Sequence, residues 1–193
     1  MGSLTQKERS VIVGMLLGDG YMRKIAGRKD AFLEINHTLK AKEYVDWKYS
    51  VLQNISAGIP KARKGNGSRM AYRFYTCQNP ELSDLHRQFY EGGKKHIPDL
   101  TLDPLMLAVW FMDDGSRCRD RDVYLNTQQF DLSDQRKLIG ILNAIGLTAT
   151  MNKDKKYYRL RFLKESIARL NHLISPYIIP SMRYKLSYDP VET

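Results

Sequence analysis

The stretch IVGMLLGDG at residues 12–20 returns in similar form as LAVWFMDDG at residues 107–115. Each copy is apolar until it ends in an aspartate and a glycine, which puts Asp19 and Asp114 at equivalent positions. The pattern predicts two buried helices that each carry a carboxylate to the C-terminus, where the helix dipole disfavours negative charge. Two such helices packed side by side hold carboxylates that repel each other unless a proton or a cation intervenes. The repeated stretch therefore predicts a metal site.

The residues around both stretches predict where the two helices begin and end. Thr5 and Glu8 have the spacing of a capping box, and Asp103 is an N-cap residue followed by a proline. Gly20 and Gly115 are expected in the left-handed conformation that ends many helices. Both helices are therefore expected to stop at their Asp-Gly pair.

The composition predicts a sizeable core and a polyanionic partner. Apolar residues make up 42% of the 193, enough for one domain or two small fused ones, and the net charge is +10. The alternative is a solvated basic surface without a partner. No apolar run is long enough to cross a bilayer, so no membrane partner is expected. Cys77 and Cys118 form no CxxC pair and no signal peptide is recognisable, which predicts reduced thiols and an intracellular location, in an organelle or a prokaryotic cytoplasm.

After each acidic turn, the chain repeats one order of predicted elements. The first half offers a hairpin at 21–24 and 31–38, a helix at 42–55, a hairpin at 59–63 and 70–76, and a helix at 80–90. The second half offers the same order at 116–121 and 123–127, 133–145, 147–151 and 157–162, and 166–174. We therefore expect an α+β fold of two pseudo-symmetric αββαββα halves, residues 1–98 and 99–193, packed through their first helices.

Apolar spacing predicts which face of the second helix of each half is turned to the core. This face consists of Tyr44, Trp47, Val51 and Ile55 in the first half, and of Leu138, Ile141, Leu142 and Ile145 in the second. Gly146 is expected to end the latter helix in the left-handed conformation.

The two repeated stretches and the elements around them resemble the LAGLIDADG homing endonucleases over residues 4–186. The family's acidic position falls on Asp19 and Asp114, and two copies in one chain resemble the monomeric members. The resemblance implies antiparallel sheets that form a DNA-binding saddle, and Mg²⁺-dependent hydrolysis of phosphodiesters in both strands of a duplex, with Mn²⁺ able to substitute. It also implies that the main-chain carbonyls of Gly18 and Asp113 help the two acids to bind metal.

The two copies of the stretch differ at positions expected to face a neighbouring helix. Gly14 and Gly18 of the first copy allow close approach, whereas the second has Val109 and Asp113 there, which leaves the local packing open. The side chain of Asp113 is either a third metal ligand or a neighbour of the site, and the resemblance favours the neighbour.

Lysines that follow the last helix of each half resemble the active-site lysines of the family. They are Lys95, with Lys94 as a competing candidate, and Lys185. A lysine in that place stabilises the charge that develops on the scissile phosphate or adjusts the attacking water. Without the resemblance, a solvated surface role is expected for each of them.

Polar residues on the strands that lead away from the acids have two open interpretations. Asn36, His37, Asn126 and Gln128 either hold ordered water near the metal ions or contact DNA and neighbouring strands. His37 is not expected to bind metal, because the other histidines form no ligand-spaced cluster with it.

The basic excess is concentrated on the predicted hairpins. A two-stranded ribbon fits the major groove, where each base pair presents a distinct pattern of donors and acceptors. The candidate DNA-binding residues are Arg23, Lys24, Arg28, Lys29, Asn36, Lys61, Arg63, Lys64, Arg69, Arg73, Arg117, Arg119, Arg121, Asn126, Gln128, Lys153, Lys155, Lys156, Arg159 and Arg161. Because the hairpins of the two halves differ in sequence, the DNA target is expected to be asymmetric.

Three functions remain open for such a chain: a site-specific DNA endonuclease, an intron-RNA maturase and a catalytically silent DNA-binding regulator. Retention of both acids favours the endonuclease, with double-stranded DNA as its partner and a single chain as its active form. Intron RNA is a second expected partner. No splicing motif flanks the unit, so a free-standing intron-encoded protein is expected.

Overall fold

The computed structural model describes residues 3–65, 67–118 and 122–186. Its first half comprises α1 (Gln6–Leu17), β1 (Tyr21–Arg23), β2 (Phe32–Thr38), α2 (Lys42–Leu52), β3 (Lys61–Lys64), β4 (Met70–Tyr75), α3 (Pro80–Phe89), β5 (Tyr90–Glu91) and β6 (Lys94–Lys95). Its second half comprises α4 (Pro104–Asp114), β7 (Gly115–Cys118), β8 (Asp122–Leu125), α5 (Leu132–Ala144), β9 (Ala149–Asp154), β10 (Tyr157–Phe162) and α6 (Lys164–Ile174). Short 3-10 helices lie at Leu39–Ala41, Gln53–Ile55, Ser175–Tyr177 and Pro180–Lys185. The predicted αββαββα order is confirmed in both halves.

Each half contains an antiparallel four-stranded sheet. The strand order is β1-β2-β4-β3 in the first sheet and β7-β8-β10-β9 in the second. Helix α2 packs on one face of the first sheet, where the ring of Tyr49 meets that of Phe74. Helix α5 packs on the second sheet, where the Gln135 amide donates to the Tyr158 carbonyl at 3.0 Å. Side chains alternate along a strand, so the opposite face of each sheet carries the remaining, largely polar side chains.

Helices α1 and α4 lie side by side in the core, and glycines on α1 set their separation. A Cβ atom on Gly14 would lie 2.6 Å from the Met106 carbonyl oxygen and 2.7 Å from the Val109 Cβ. A Cβ on Gly18 would lie 2.6 Å from the Cβ of Asp113. Each larger residue of the second motif copy therefore packs onto a glycine of the first, which resolves the packing that the sequence difference left open.

The predicted helix starts are confirmed, whereas the predicted glycine conformations at the helix ends are wrong. Thr5 and Glu8 form the capping box of α1, and the Asp103 side chain accepts from the Met106 amide at 2.8 Å. Gly115 has φ of −66° and begins β7, and Gly20 is not in the left-handed region either. A strand follows each acidic turn, so an extended backbone is required. Glycine is needed there because a Cβ would collide with a carbonyl of the preceding helix.

The predicted core faces of α2 and α5 are confirmed in part. The buried residues of α2 are Tyr44, Val45, Lys48 and Leu52, while Trp47 and Val51 are only partly buried. In α5 the buried residues are Asp134, Gln135, Leu138 and Leu142, with Ile141 and Ile145 partly buried. Tyr44 and Ile55 of the first half are buried as predicted. The apolar spacing did not predict that polar side chains on both helices are buried as well. Gly146 has φ of 75° after α5, as predicted.

Some strand boundaries also differ from the prediction. Strand β9 runs on to Asp154, and the turn falls at Lys155, which has φ of 55°, and Lys156. The structure also contains a short β5–β6 hairpin that the sequence did not predict. Within the described residues, no helix has the length and apolar character needed to traverse a bilayer.

Candidate active site

Asp19 and Asp114 lie where α1 and α4 end next to each other. Asp19 follows the C-cap residue Gly18, and Asp114 is the last residue of α4. Partial burial, followed by the charge of Asp113, raises the pKa of Asp19, although 54% of its side chain is exposed. Burial, followed by the charge of Asp19, raises the pKa of Asp114 to about 8. The buried Oδ2 of Asp114 has no hydrogen-bond partner in the part of the chain that is described.

Two lysines approach the same helix ends in a pseudo-symmetric way. Lys95 Nζ donates to the carbonyls of Gly18 and Gly20, each at 2.9 Å. Lys185 Nζ donates to the carbonyl of Asp113 at 3.1 Å and to that of Met112. Burial lowers the pKa of both lysines, that of Lys95 to about 8. Both ammonium groups thus lie at the negative ends of the helix dipoles, beside the two acids.

The structure separates Lys95 from its competing candidate. Lys94 is exposed and its Nζ lies 3.3 Å from Asp131 Oδ2, away from the acidic turns. Adjacent residues of a strand point to opposite sides, so of the two residues in β6 Lys95 points to the acidic turns and Lys94 points away from them.

A buried polar cluster adjoins the acids on the side of α2. Lys48 Nζ lies 2.7 Å from Asp113 Oδ1 and 2.9 Å from His37 Nε2, and 4.1 Å from the centre of the Tyr44 ring. The side chains of Lys48 and Asp113 are 1% and 0% exposed. Sequence reasoning missed Lys48. The sequence could have indicated its burial, because Lys48 lies one helical turn from both Tyr44 and Leu52, which are buried on the same face of α2.

His37 connects this cluster to the first acid. Its Nδ1 lies 4.0 Å from Asp19 Oδ2, and its Nε2 faces Lys48. Burial, followed by the charge of Lys48, lowers the pKa of His37 to about 4. Tyr44 completes the cluster by donating its hydroxyl to the Val109 carbonyl at 3.2 Å.

The residues at this centre fit a hard divalent cation held by the two motif acids. Asp19, His37 and Asp113 bring potential ligand atoms within 4.8 Å of one another. However, the Lys48 ammonium already contacts Asp113 and His37, so a second cation at that position would meet repulsion. The unpartnered oxygen of Asp114 and the half-exposed carboxylate of Asp19 have no such competitor, and carboxylate oxygens suit Mg²⁺-like ions.

The other predicted polar residues are distributed around this centre. Asn36 is exposed on β2. Asn126 lies next to β8 and contacts Ser116 Oγ at 3.4 Å, and Gln128 donates to Asp154 at 2.9 Å. Sequence reasoning missed Gln129, whose amide donates to the Gly18 carbonyl at 3.3 Å. The sequence feature that could have indicated this contact is a polar residue in the loop between β8 and α5.

The predicted DNA-binding residues fall into three groups: those on the outer sheet faces, those on the helix-covered faces and those in connecting turns. Cross-strand pairs such as Asn36 with Arg73 and Tyr124 with Arg161 mark the sheet faces that lie away from α2 and α5. These faces carry Arg23, Asn36, Lys61, Arg63, Arg73, Arg159 and Arg161. The register puts Lys64, Arg117 and Lys153 on the other faces. Lys24, Arg28, Lys29, Arg69, Lys155 and Lys156 lie in the connecting turns, and Arg119 and Arg121 lie outside the described residues.

The raised pKa of Asp114 predicts a stability that falls with rising pH when divalent ions are absent. The carboxyl has a pKa of about 8 in the folded protein and an ordinary value of 3.8 when unfolded, so the unfolded chain loses the proton first. In chelator, Asp114→Asn is expected to raise the melting temperature by about 3–6 °C at pH 8.5 and by less at pH 5. Calorimetry at both pH values checks this, with the exposed Asp99→Asn as control. A lower melting temperature at pH 8.5 contradicts it.

Comparisons with known proteins agree with this arrangement of motifs and elements. Residues 9–170 match the family described as the LAGLIDADG DNA endonuclease family. The chain is 31% identical to the cytochrome b mRNA maturase bI2 of Debaryomyces hansenii, over 95% of this chain and 74% of that protein. It is 28% identical to the probable intron-encoded endonuclease 1 of Wickerhamomyces canadensis, over 97% of this chain and 87% of that protein.

A solved structure extends the comparison to three dimensions. The homing endonuclease I-WcaI, bound to its DNA recognition sequence, is 27% identical and superposes with a TM-score of 0.89, covering 98% of this chain and 89% of that one. Other curated relatives are longer proteins, of which the chain spans about half the length.

Proposed function

The chain belongs to the LAGLIDADG DNA endonuclease family, and from this premise we propose that it is a site-specific homing endonuclease that breaks both strands of a long, asymmetric DNA target. One observation carries the proposal. Two carboxylates from non-identical halves meet at paired helix ends, and each end holds a lysine on the carbonyls beside the acid. The relationship to I-WcaI, which binds a DNA recognition sequence, supports the same substrate class.

The proposed cofactor is Mg²⁺, with Mn²⁺ as a substitute. Asp19 and Asp114 would hold it. The carbonyls of Gly18 and Asp113 are further candidate oxygens, but they accept from Lys95 and Lys185 in this structure and would have to exchange these donors for the metal. When bound, the metal supplies charge neutralisation at the scissile phosphate and acidifies the attacking water. We do not include the side chain of Asp113 in this set, because Lys48 holds its Oδ1 and neutralises its charge, although its buried Oδ2 has no hydrogen-bond partner among the described residues.

Lys95 and Lys185 are the proposed cationic side chains of the reaction. Both ammonium groups lie at the acidic turns, and burial lowers the pKa of each. A lysine in a partly water-excluded site interacts strongly with charge on a phosphate, so both residues are suited to stabilise the transition state.

The outer faces of the two sheets are the proposed DNA-binding surface of a single chain. Arginine and lysine side chains share these faces, and the two sheets carry different residues at equivalent positions. A target read by both sheets is therefore asymmetric. We propose that residues 1–98 and 99–193 form the two halves of this surface. We also propose that the protein acts inside the cell.

Arg73→Ala tests the outer face of the first sheet. Arg73 lies beside Asn36 on one strand and Lys61 on the other. Its removal is expected to weaken binding of the cognate duplex about tenfold and to lower the salt slope by about one. Fluorescence anisotropy over a range of salt concentrations measures both quantities. Arg87→Ala on α3 is the control, and equal losses in the two variants would contradict the proposed surface.

Intron-RNA maturation is the second candidate, because the Debaryomyces hansenii relative is named as an mRNA maturase. The two functions are separated by their substrates. A duplex target is first selected from a randomised pool by the purified protein, and then incubated with Mg²⁺ or with chelator. Mg²⁺-dependent double-strand cleavage supports the endonuclease. Accelerated splicing of a precursor RNA that contains the intron, without DNA cleavage, supports the maturase instead.

A further inference from the structure

We propose that Lys48 is a positioning residue that holds His37 in the form that donates a hydrogen bond toward Asp19, and that this makes the site at Asp19 chemically different from the site at Asp114. The predicted effect on cleavage rests on the proposed function. The predicted state of the His37 ring depends only on the side chains of the cluster.

The hydrogen-bond roles inside the cluster follow from the chemistry of an ammonium group. Lys48 Nζ lies 2.7 Å from Asp113 Oδ1 and 2.9 Å from His37 Nε2. An ammonium has three donors and no acceptor, so Nε2 of His37 must accept. An imidazole that accepts at Nε2 carries its proton on Nδ1. Lys48 therefore selects one of the two neutral forms of the His37 ring.

The selected form presents a donor to the first acid. His37 Nδ1 lies 4.0 Å from Asp19 Oδ2, and the His37 side chain is only 13% exposed. Its ring packs against Tyr44 with 5.5 Å between centroids, which restrains its orientation. The Asp19 side chain is half exposed, and its Oδ2 must approach Nδ1 by about 1 Å to accept a hydrogen bond. His37 is thus placed to orient the Asp19 carboxylate and not to bind metal itself.

Lys48 has little freedom to leave this position. Its side chain is 1% exposed, its ammonium lies 4.1 Å from the Tyr44 ring centre, and its carboxylate partner Asp113 is fully buried. A buried charge that loses its partner is strongly unfavourable, so the Lys48–Asp113 pair is expected to persist.

In the described part of the second half, no imidazole stands at the position equivalent to His37. Strand register places Tyr21 opposite Glu34 in the first half and Ser116 opposite Tyr124 in the second. Counting from these pairs, the position of His37 corresponds to that of Thr127. Thr127 is fully buried and donates its hydroxyl to Gln135 Oε1 at 3.3 Å.

Lys48 and Asp113 are also replaced by uncharged residues in the other half. The buried residues of α2 and α5 share the same spacing, which places Leu138 where the first half has Lys48. The motif position of Asp113 is occupied by Gly18 in the first copy. One half therefore supplies a charged pair where the other supplies a leucine and a glycine. Among the described residues, this places an oriented imidazole beside Asp19 and none at the equivalent position beside Asp114.

Nitrogen-15 NMR of the His37 ring tests the positioning role without any DNA. His37→Gln identifies the signals, and the wild-type ring is expected to be protonated on Nδ1. In Lys48→Met the ammonium donor at Nε2 is gone and the unpaired Asp113 Oδ1 lies 3.8 Å from that nitrogen, so the proton is expected to shift to Nε2. Lys42→Met, on the exposed side of the same helix, is the control and should leave the ring unchanged. A wild-type proton on Nε2, or an unchanged ring in Lys48→Met, overturns the proposal.

A second variant covers the case in which Lys48→Met does not fold. The double change Lys48→Met with Asp113→Asn leaves no unpaired buried charge, and it is expected to lose the Nδ1 preference as well. A folded double variant that keeps the wild-type ring state overturns the proposal.

Strand-resolved cleavage tests the functional consequence. With each DNA strand labelled, Lys48→Met is expected to slow one strand about tenfold more than the other, with unchanged affinity for DNA. The strand affected should be the one slowed more by Asp19→Asn. Equal slowing of both strands overturns the assigned asymmetry. A wild-type protein that cuts no DNA refutes the proposed function instead, while the ring measurement still decides the role of Lys48.

Discussion

Asp19→Asn and Asp114→Asn are each expected to lower the rate of double-strand cleavage by about a thousandfold or more. Each change replaces a carboxylate of the proposed metal site by a neutral amide of nearly the same shape. The site then holds a divalent cation less tightly, and the charge on the scissile phosphate is less well compensated. Conversion of supercoiled plasmid to nicked and linear forms, under single-turnover conditions, measures the loss.

The two aspartate variants are not expected to leave the same residual nicking. Asp19 is half exposed beside His37, whereas Asp114 is more deeply buried and has a pKa of about 8. The variants therefore remove acids from different surroundings. Asp99→Asn, at an exposed position, is the control for the amide change and should cut like the wild type. Linear product at the wild-type rate from either motif variant would refute the assigned roles.

Gly14→Ala is expected to cause the largest loss of stability among single-methyl changes at the helix interface. The added Cβ would lie 2.6 Å from the Met106 carbonyl oxygen, and a backbone atom inside a helix cannot rotate away. We expect a loss of about 1–3 kcal/mol in the free energy of unfolding. Separation of α1 and α4 also moves the two acids, so cleavage should fall with stability. Urea denaturation and the plasmid assay measure the two effects.

Gly140→Ala is the matched control for this change. Gly140 lies in helix α5 and a Cβ there would meet nothing within 4 Å. Its substitution is expected to raise the free energy of unfolding by about 0.5–1 kcal/mol, because alanine loses less conformational freedom in a helix. A destabilisation at Gly140 as large as that at Gly14 would show that the helix interface is not the cause.

Much of the architecture follows from local signals that the chain repeats. The capping box at Thr5, the N-cap at Asp103 and the apolar runs before the acids define α1 and α4, and both helices begin as predicted. The repeated order of hairpins and helices predicts two equivalent sheets. The acids come together because both motif helices are apolar on nearly all sides, and they pack along each other in the core.

The parts that escaped prediction depend on contacts between distant residues. Lys48 reads as a solvated residue on α2 until Asp113 of the other half is placed beside it. The buried face of α2 was predicted only in part for the same reason, since a buried lysine breaks the apolar spacing. The backbone at Gly115 is extended because β8 pairs with β7, a requirement that a helix-end signal does not contain.

The most direct test of the central claim is single-turnover cleavage of a plasmid that carries the selected target, with wild-type protein and with the double variant Asp19→Asn, Asp114→Asn. With Mg²⁺ or Mn²⁺, the wild-type chain is expected to produce linear DNA as a monomer, and the double variant is expected to bind the same target without cutting either strand. Chelator should abolish cleavage by the wild type. Linear product from the double variant, or specific binding by the wild type without nicking in any divalent ion, would contradict the claim that the paired motif acids form a DNA-cleaving centre.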